Sequence, residues 1–312
     1  MSSVSWQARI LKILMQYQMA YLLKSDDPLI RRARIEKAAS FLKSPPDAVS
    51  EPVNAGGVPS EWITTPAADN EQVILYLHGG GYYTGSINTH RDLVARLGRA
   101  ARMRVLAIDY RLAPEHPYPA AAEDATTAYR WLVATGYEPA NIIIAGDSSG
   151  GGLALAMLVN LRDAGDQLPA GAVCLSPWTD LALTGDSVKS KAKADPINKP
   201  NVLKFGAALY AGKLDLKTPL ISPLYAELRE LPPLLIQVGT EETLLDDSTR
   251  LAERARAAGV EVTLEIWKGM IHVFQLYARF LPDARQAIEG IGVFMRQRIE
   301  SEARSPSMEN TW

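Results

Sequence analysis

The chain has 312 residues, of which 47% are hydrophobic and 22% are charged, and its formal net charge is -2. The near-even charge balance argues against a dedicated nucleic-acid-binding protein, and no apolar run reaches the length of about 18 residues that a membrane span needs. The single cysteine, Cys174, excludes an intrachain disulfide and a thiol-ligated metal cluster, and no two of the four histidines have metal-ligand spacing. This composition predicts a compact cytoplasmic enzyme.

The first 45 residues carry two predicted helices. Residues 1–23 lack the basic start and the cleavage pattern of a signal peptide, and their apolar residues recur at helical spacing. Binding to a membrane surface is an alternative, but Arg9 and Lys12 are the only cations of the polar face. We therefore expect this helix to pack over the protein's own core or pocket. A second helix is predicted over 27–42, with Pro28 in its first turn.

Beyond residue 46, short apolar runs alternate with longer helical patterns. The runs are rich in Val, Ile and Leu on both faces, as in buried parallel strands, and lie at 73–77, 104–108, 141–145, 171–175, 234–238 and 262–266. Helices are predicted between them at 88–101, 119–135, 149–164, 246–258 and 282–298. The alternation predicts an α/β fold with a mostly parallel sheet flanked by helices. Segment 185–216 has no strand of its own and is predicted to be an insertion with a helix at 201–211.

A candidate nucleophile follows the third predicted strand. Residues 146–150 read Gly-Asp-Ser-Ser-Gly, which fits the G-x-S-x-G pattern between a strand and a helix. In that setting a sharp turn exposes the oxygen of the middle serine, Ser148. The alternative is a glycine-rich turn in which this serine only caps the helix. We predict that Ser148 is the nucleophile, that Asp147 braces the turn, and that Ser149 contributes its backbone N–H.

A glycine-rich loop, His78-Gly79-Gly80-Gly81, follows the first predicted strand. Three consecutive glycines are costly in conformational entropy, so a simple linker does not explain them. Such a loop can direct several backbone N–H groups towards one substrate oxygen. We predict that Gly80, Gly81 and Ser149 form the oxyanion hole, and that His78 fixes the loop.

The base and its acid are expected after Ser148 in the chain. His272 is the only histidine there, and it lies in a loop after the last predicted strand. Four carboxylates follow the preceding strand: Glu241, Glu242, Asp246 and Asp247. The first two lie just past the strand, where an orienting acid belongs, whereas the last two fit the first turn of the next helix. The spacing alone leaves the first two open.

Together these motifs resemble the hormone-sensitive-lipase-like esterases, the bacterial family IV carboxylesterases of the α/β-hydrolase fold. The similar segments lie at 78–81, 109–115, 117–120, 146–151, 176–180, 239–246 and 272–274. The resemblance implies that Glu242 orients the histidine, at a position where most members carry aspartate. It also implies that no metal or organic cofactor takes part.

The resemblance further implies a domain organisation. Residues 1–45 correspond to N-terminal cap helices, and 46–301 correspond to the catalytic domain with a cap insertion at about 185–216. The last residues, 302–312, are expected to form a flexible tail. Family members often form homodimers through the last strand and helix, here 262–266 and 282–298.

The function implied is that of a serine carboxylesterase that hydrolyses small-molecule esters with short to medium acyl chains through Ser148, His272 and Glu242. One alternative is a lactone hydrolase of the monoterpene ε-lactone type, which needs the same triad. Another is a ligand-binding receptor on a hydrolase scaffold, as in the plant gibberellin receptors, but those have lost the catalytic histidine. The candidate pocket walls are five aromatic residues: Tyr82, Tyr83, Trp178, Tyr210 and Phe274.

Overall fold

The computed structural model describes residues 4–40 and 44–304, which fold around one central sheet. Its eight strands are β1 (Val49–Ala55), β2 (Val58–Thr64), β3 (Asp69–Leu77), β4 (Met103–Ile108), β5 (Ile142–Asp147), β6 (Gly171–Leu175), β7 (Leu234–Gly239) and β8 (Val262–Trp267). They lie in the order β1-β2-β4-β3-β5-β6-β7-β8. Only the pairings of β2 with β1 and with β4 are antiparallel. The predicted mostly parallel sheet and its six strands are confirmed.

The first two strands were not predicted from the sequence, and they form an antiparallel hairpin at one edge of the sheet. Most residues of β1 are exposed, so this strand lacks the continuous apolar run by which the other strands were recognised. The two strands are joined by Gly56 and Gly57, both with positive φ (68° and 104°). A Gly-Gly pair between two extended runs is a hairpin signal, and it could have identified them.

Helices cover both faces of the sheet. They are α1 (Trp6–Leu22), α2 (Pro28–Ala39), α3 (Ile87–Ala101), α4 (Ala120–Ala134), α5 (Ser149–Ala164), α6 (Ser187–Ser190), α7 (Pro200–Ala211), α8 (Leu245–Ala257) and α9 (Pro282–Arg304). Alternate residues of β3 enter two separate cores, since Leu75 and Leu77 pack on one face while Ile74 and Tyr76 pack on the other. No helix within the described ranges is long and apolar enough to cross a bilayer.

The helix boundaries differ from the predicted ones mainly at chain ends. The second helix stops at Ala39, and residues 41 and 42 of its predicted range lie outside the described part. The predicted end of the last helix at 298 was wrong, because the helix continues to Arg304. It therefore includes residues 302–304 of the segment that was predicted to be a tail. Residues 305–312 of that segment lie outside the described part.

The N-terminal helices and segment 185–216 lie over the carboxyl ends of the strands. Lys12 of α1 forms an ion pair with Glu241 in the loop after β7, with 2.6 Å between Nζ and Oε2. Asp195 is fully buried, and its Oδ2 accepts hydrogen bonds from the backbone N–H and hydroxyl of Thr243 in the same loop. Both segments therefore contact the loops at the carboxyl ends of the parallel strands, where functional residues of such sheets usually lie.

Candidate active site

Ser148 occupies a tight turn between β5 and α5. Its φ of 52° and ψ of -120° lie in a region of backbone conformation that residues other than glycine rarely adopt. The turn is held from β6, because the N–H of Ser148 donates to the carbonyl of Leu175 at 2.8 Å. Glycine is required nearby, since a Cβ on Gly150 would lie 2.0 Å from the carbonyl oxygen of Leu77. The strand–turn–helix geometry predicted for the G-x-S-x-G pattern is confirmed.

Asp147 joins this turn to the glycine-rich loop. Its Oδ1 accepts hydrogen bonds from the N–H of Gly79 at 2.9 Å and from the hydroxyl of Tyr76 at 2.7 Å. Its Oδ2 lies 3.3 Å from Nε2 of His90. Burial disfavours charge on the carboxyl, but His90 and the hydrogen bond from Tyr76 act against it, and the pKa of Asp147 is lowered. The sequence assigned no role to His90, which this pairing places beneath the turn.

His78 packs inside the loop rather than into the open site. Its ring stacks on that of Tyr110, with 4.2 Å between centroids, and its Nδ1 lies 2.8 Å from the carbonyl oxygen of Gly79. Burial lowers the pKa of His78 to about 3, so the ring is neutral at ordinary pH. These contacts agree with the expectation that His78 fixes the loop.

Three backbone N–H groups beside Ser148 have no hydrogen-bond acceptor within the described residues: those of Gly80, Gly81 and Ser149. The two glycines have φ values of 126° and 63°, and both line the same cavity as Ser148. Ser149 is the first residue of α5, where a helix leaves its N–H groups unpaired. These N–H groups are thus free to donate hydrogen bonds to a negatively charged oxygen bound in the cavity.

The four candidate carboxylates that follow β7 have different hydrogen-bond and ion-pair partners. Glu242 is completely buried, and its Oε2 lies 2.8 Å from Nδ1 of His272. Its Oε1 accepts hydrogen bonds from the N–H of Gly239 at 2.5 Å and from the hydroxyl of Ser176 at 2.8 Å. Of the two residues that spacing left open, Glu242 is therefore the one beside the histidine, whereas Glu241 pairs with Lys12.

The other two carboxylates stabilise the start of α8 and its contacts. Asp246 and Asp247 lie in the first turn of that helix, as predicted. The Oδ2 of Asp246 accepts the N–H of Ser187, and the Oδ1 of Asp247 accepts the N–H groups of Thr179 and Asp180. The hydrogen bonds of both carboxylates therefore go to partners other than His272.

In the buried pair of His272 and Glu242, each side chain shifts the pKa of the other. Burial disfavours the imidazolium, but the hydrogen bond and the charge of Glu242 outweigh this effect and raise the pKa of His272 above its usual value. Burial also raises the pKa of Glu242, and the adjacent imidazole opposes that rise. The arrangement stabilises a positive charge on His272 whenever it takes up a proton.

Ser148 and His272 line one cavity of about 910 Å³. Its walls are mainly apolar and come from α1, α2, the segment around Leu203 and the loop around Leu276. Of the five predicted aromatic wall residues, Tyr83 and Trp178 line the cavity. The prediction was wrong for the other three, which are buried in the cores instead: Tyr82, Tyr210 and Phe274.

Comparisons with known proteins identify the family. Residues 74–276 match the family described by the alpha/beta hydrolase fold. An acetyl-hydrolase from Streptomyces hygroscopicus is 46% identical over 263 residues, which are 84% of this chain and 87% of that protein. The crystal structure of an esterase from the bacterial hormone-sensitive lipase family has a TM-score of 0.92 and 46% identity, covering 96% of this chain and 100% of its own. The chain belongs to the hormone-sensitive-lipase-like esterases.

A further relative of this esterase, itself named an esterase, comes from Acinetobacter venetianus. It is 37% identical over 268 residues, which are 86% of this chain and 88% of its own. The predicted family, fold class and enzyme class are confirmed, and the chain is a carboxylic ester hydrolase. The names of these relatives do not favour the lactone hydrolase alternative.

Proposed function

We propose that this esterase hydrolyses carboxylic esters with short to medium acyl chains through Ser148, His272 and Glu242, by way of an acyl-enzyme. One observation carries the proposal. The buried 2.8 Å contact between Nδ1 of His272 and Oε2 of Glu242 lies beside a cavity that Ser148 and His272 line together. A carboxylate at Nδ1 keeps the proton there and leaves Nε2 free to act as a base.

In the acylation step, Oγ of Ser148 attacks the ester carbonyl carbon while Nε2 of His272 takes the hydroxyl proton. The carbonyl oxygen becomes an oxyanion, and the unpaired N–H groups of Gly80, Gly81 and Ser149 stabilise it. His272 then gives its proton to the leaving alkoxide as the bond to the alcohol oxygen breaks. Glu242 stabilises the imidazolium that exists between these two proton transfers.

In the deacylation step, water attacks the acyl carbon and gives a proton to Nε2 of His272. The same N–H groups stabilise the second oxyanion. The bond to Oγ of Ser148 then breaks, the serine recovers its proton from His272, and the carboxylic acid leaves. Each cycle consumes one ester and one water and restores the starting protonation of all three side chains.

The cavity supports an apolar substrate. Its walls are mostly hydrophobic side chains, so binding an acyl or alkyl group there removes apolar surface from water. The relative from Streptomyces hygroscopicus is named an acetyl-hydrolase, which points to small acyl groups in that protein. The preference for short to medium chains rests on this relationship and on the family resemblance.

The test is hydrolysis of p-nitrophenyl esters by the wild type and by Ser148→Ala. We expect a burst of p-nitrophenol from the butyrate in the wild type and none in the variant, because only Oγ can accept the acyl group. Ser248→Ala is the control, since Ser248 is a fully buried serine outside the cavity and its hydroxyl has no partner within the described residues. Unchanged turnover in Ser148→Ala would refute the mechanism, and a rate that keeps rising from acetate to laurate would refute the chain-length preference.

A further inference from the structure

Ser176 follows β6 directly and contacts the elements that carry Glu242 and His272, while its neighbour Leu175 contacts Ser148. Its backbone N–H donates to the carbonyl of Gln237 in β7 at 2.7 Å, and the carbonyl of the preceding Leu175 accepts the N–H of Ser148. Its side chain lies against both Glu242 and the residue after His272. The residue is fully buried and has a φ of 46°, which is unusual for a residue other than glycine.

The hydrogen bonds of the Ser176 hydroxyl have a defined direction. The N–H of Val273 lies 3.2 Å from Oγ and can only donate, so Oγ accepts there. The single hydroxyl proton is then directed at Oε1 of Glu242, 2.8 Å away. With the N–H of Gly239 it gives this oxygen two donors, while Oε2 remains for Nδ1 of His272. Donors of this kind favour the ionised carboxylate over the neutral acid.

We propose that Ser176 is a positioning residue that keeps Glu242 ionised and fixes its distance from the loop that carries His272. The inference rests on the proposed triad, and it adds a fourth side chain that does not contact substrate. The other carboxylates that act on the imidazole are Asp195 and Asp147, and their hydrogen bonds go to partners other than Ser176. Its effect can therefore be separated from theirs.

The experiment compares the pH dependence of kcat/KM for p-nitrophenyl butyrate in Ser176→Ala, the control Ser248→Ala and the wild type. The active form of the pair has a charged Glu242 and a neutral His272, and the donor stabilises this form because it favours the ionised carboxylate. Without the donor the pair takes up a proton at higher pH, so the acid limb of the profile should move to higher pH. We expect kcat/KM to fall about tenfold, the order of effect that one hydrogen bond to a charged group supplies.

A double-mutant cycle with Glu242→Gln tests whether Ser176 acts through the carboxylate. In the Glu242→Gln background, Ser176→Ala should cost less than about twofold, because the two changes remove one shared interaction. Ser176→Cys keeps a weaker donor and should give a smaller shift in the same direction, so it carries the test if the alanine variant does not fold.

Three results would overturn the proposal: an acid limb that stays at the wild-type pH, a loss no greater than that of Ser248→Ala, or fully additive losses in the cycle. None of these touches the proposed function. That proposal fails separately, if Ser148→Ala keeps its activity. A general packing role for Ser176 would lower the melting temperature and leave the pH profile where it is.

Discussion

Replacing Glu242 by glutamine keeps the size of the side chain, and the surrounding donors decide how the new amide is oriented. The N–H of Gly239 lies 2.5 Å from Oε1 and can only donate, so the amide oxygen must take that position. The amide NH2 group then takes the position of Oε2, 2.8 Å from Nδ1 of His272. Facing a donor, Nδ1 must accept, and the imidazole proton moves to Nε2. In that tautomer His272 cannot take the proton of Ser148.

This reversal predicts a large loss of activity without unfolding. The corresponding aspartate-to-asparagine exchange in the serine protease triad lowers kcat by about 10,000-fold, and we expect a loss of about 1,000- to 10,000-fold for Glu242→Gln. Glu242→Asp keeps the charge and is one methylene shorter, so it misplaces the acid without reversing the tautomer. A misplacement of about 1 Å costs on the order of 100-fold. The charged but shorter aspartate should therefore be the more active variant.

The assay is kcat/KM for p-nitrophenyl butyrate across pH, with the melting temperature of each variant as a control for folding. In the wild type, kcat/KM rises with pH through the pKa of His272, which Glu242 raises. Without that charge, burial lowers the pKa of His272 and only the smaller effects of Asp195 and Asp147 oppose it, so the residual acid limb of Glu242→Gln should move to lower pH. A glutamine variant as active as the aspartate variant, or a limb at higher pH, would refute this reasoning.

Two further predictions concern stability. Gly290→Ala in α9 should stabilise the fold by roughly 0.5–1 kcal/mol, because the added Cβ meets nothing within 4 Å. Gly152→Ala in α5 should destabilise the fold, because that Cβ would lie 2.2 Å from the carbonyl oxygen of Trp178. Urea unfolding distinguishes the two variants, and equal changes in the free energy of unfolding would contradict the steric argument. Burial raises the pKa of Asp247 to about 8, so the folded chain holds this proton more tightly than the unfolded chain and wild-type stability falls as pH rises from about 4 towards 8. The stability of Asp247→Asn relative to the wild type should therefore increase over that range in urea unfolding, and a constant difference would argue against a raised pKa.

Most of the parallel part of the sheet could be predicted from sequence because β4 to β7 and the second half of β3 are buried on both faces, whereas the edge strand β8 is only partly buried. Continuous apolar runs follow from that burial, and each run predicted one strand correctly. The hairpin of β1 and β2 lies at the edge of the sheet and exposes most of β1, so the same criterion failed there. Segment 185–216 was recognisable only as an interruption. The partner of its buried Asp195, Thr243, is 48 residues away in the chain.

The site residues also differ in how far the sequence alone could identify them. Ser148, Gly80 and Gly81 lie in motifs whose spacing reflects local backbone geometry, so sequence could single them out. Glu242 could not be separated from Glu241 by spacing, because the choice depends on which carboxylate the loop turns inward. Ser176 lies in a recognised motif, yet its contact with the acid depends on a residue 66 positions away. No local pattern encodes such a pairing.

The topology explains why the candidate residues occur in one chain order. Ser148 follows β5, Ser176 follows β6, Glu242 follows β7 and His272 follows β8, and these four strands are consecutive neighbours in the sheet. At about 4.8 Å between strands, β5 and β8 are about 14 Å apart, too far for a serine and a histidine on straight extensions to meet. The loop after β8 must therefore fold back across β7, and it does so where the N–H of Glu241 donates to the carbonyl of Met270 at 3.0 Å. The acid after the intervening strand β7 is then the partner of the returning histidine, and Ser176 follows β6, the strand between that of the nucleophile and that of the acid.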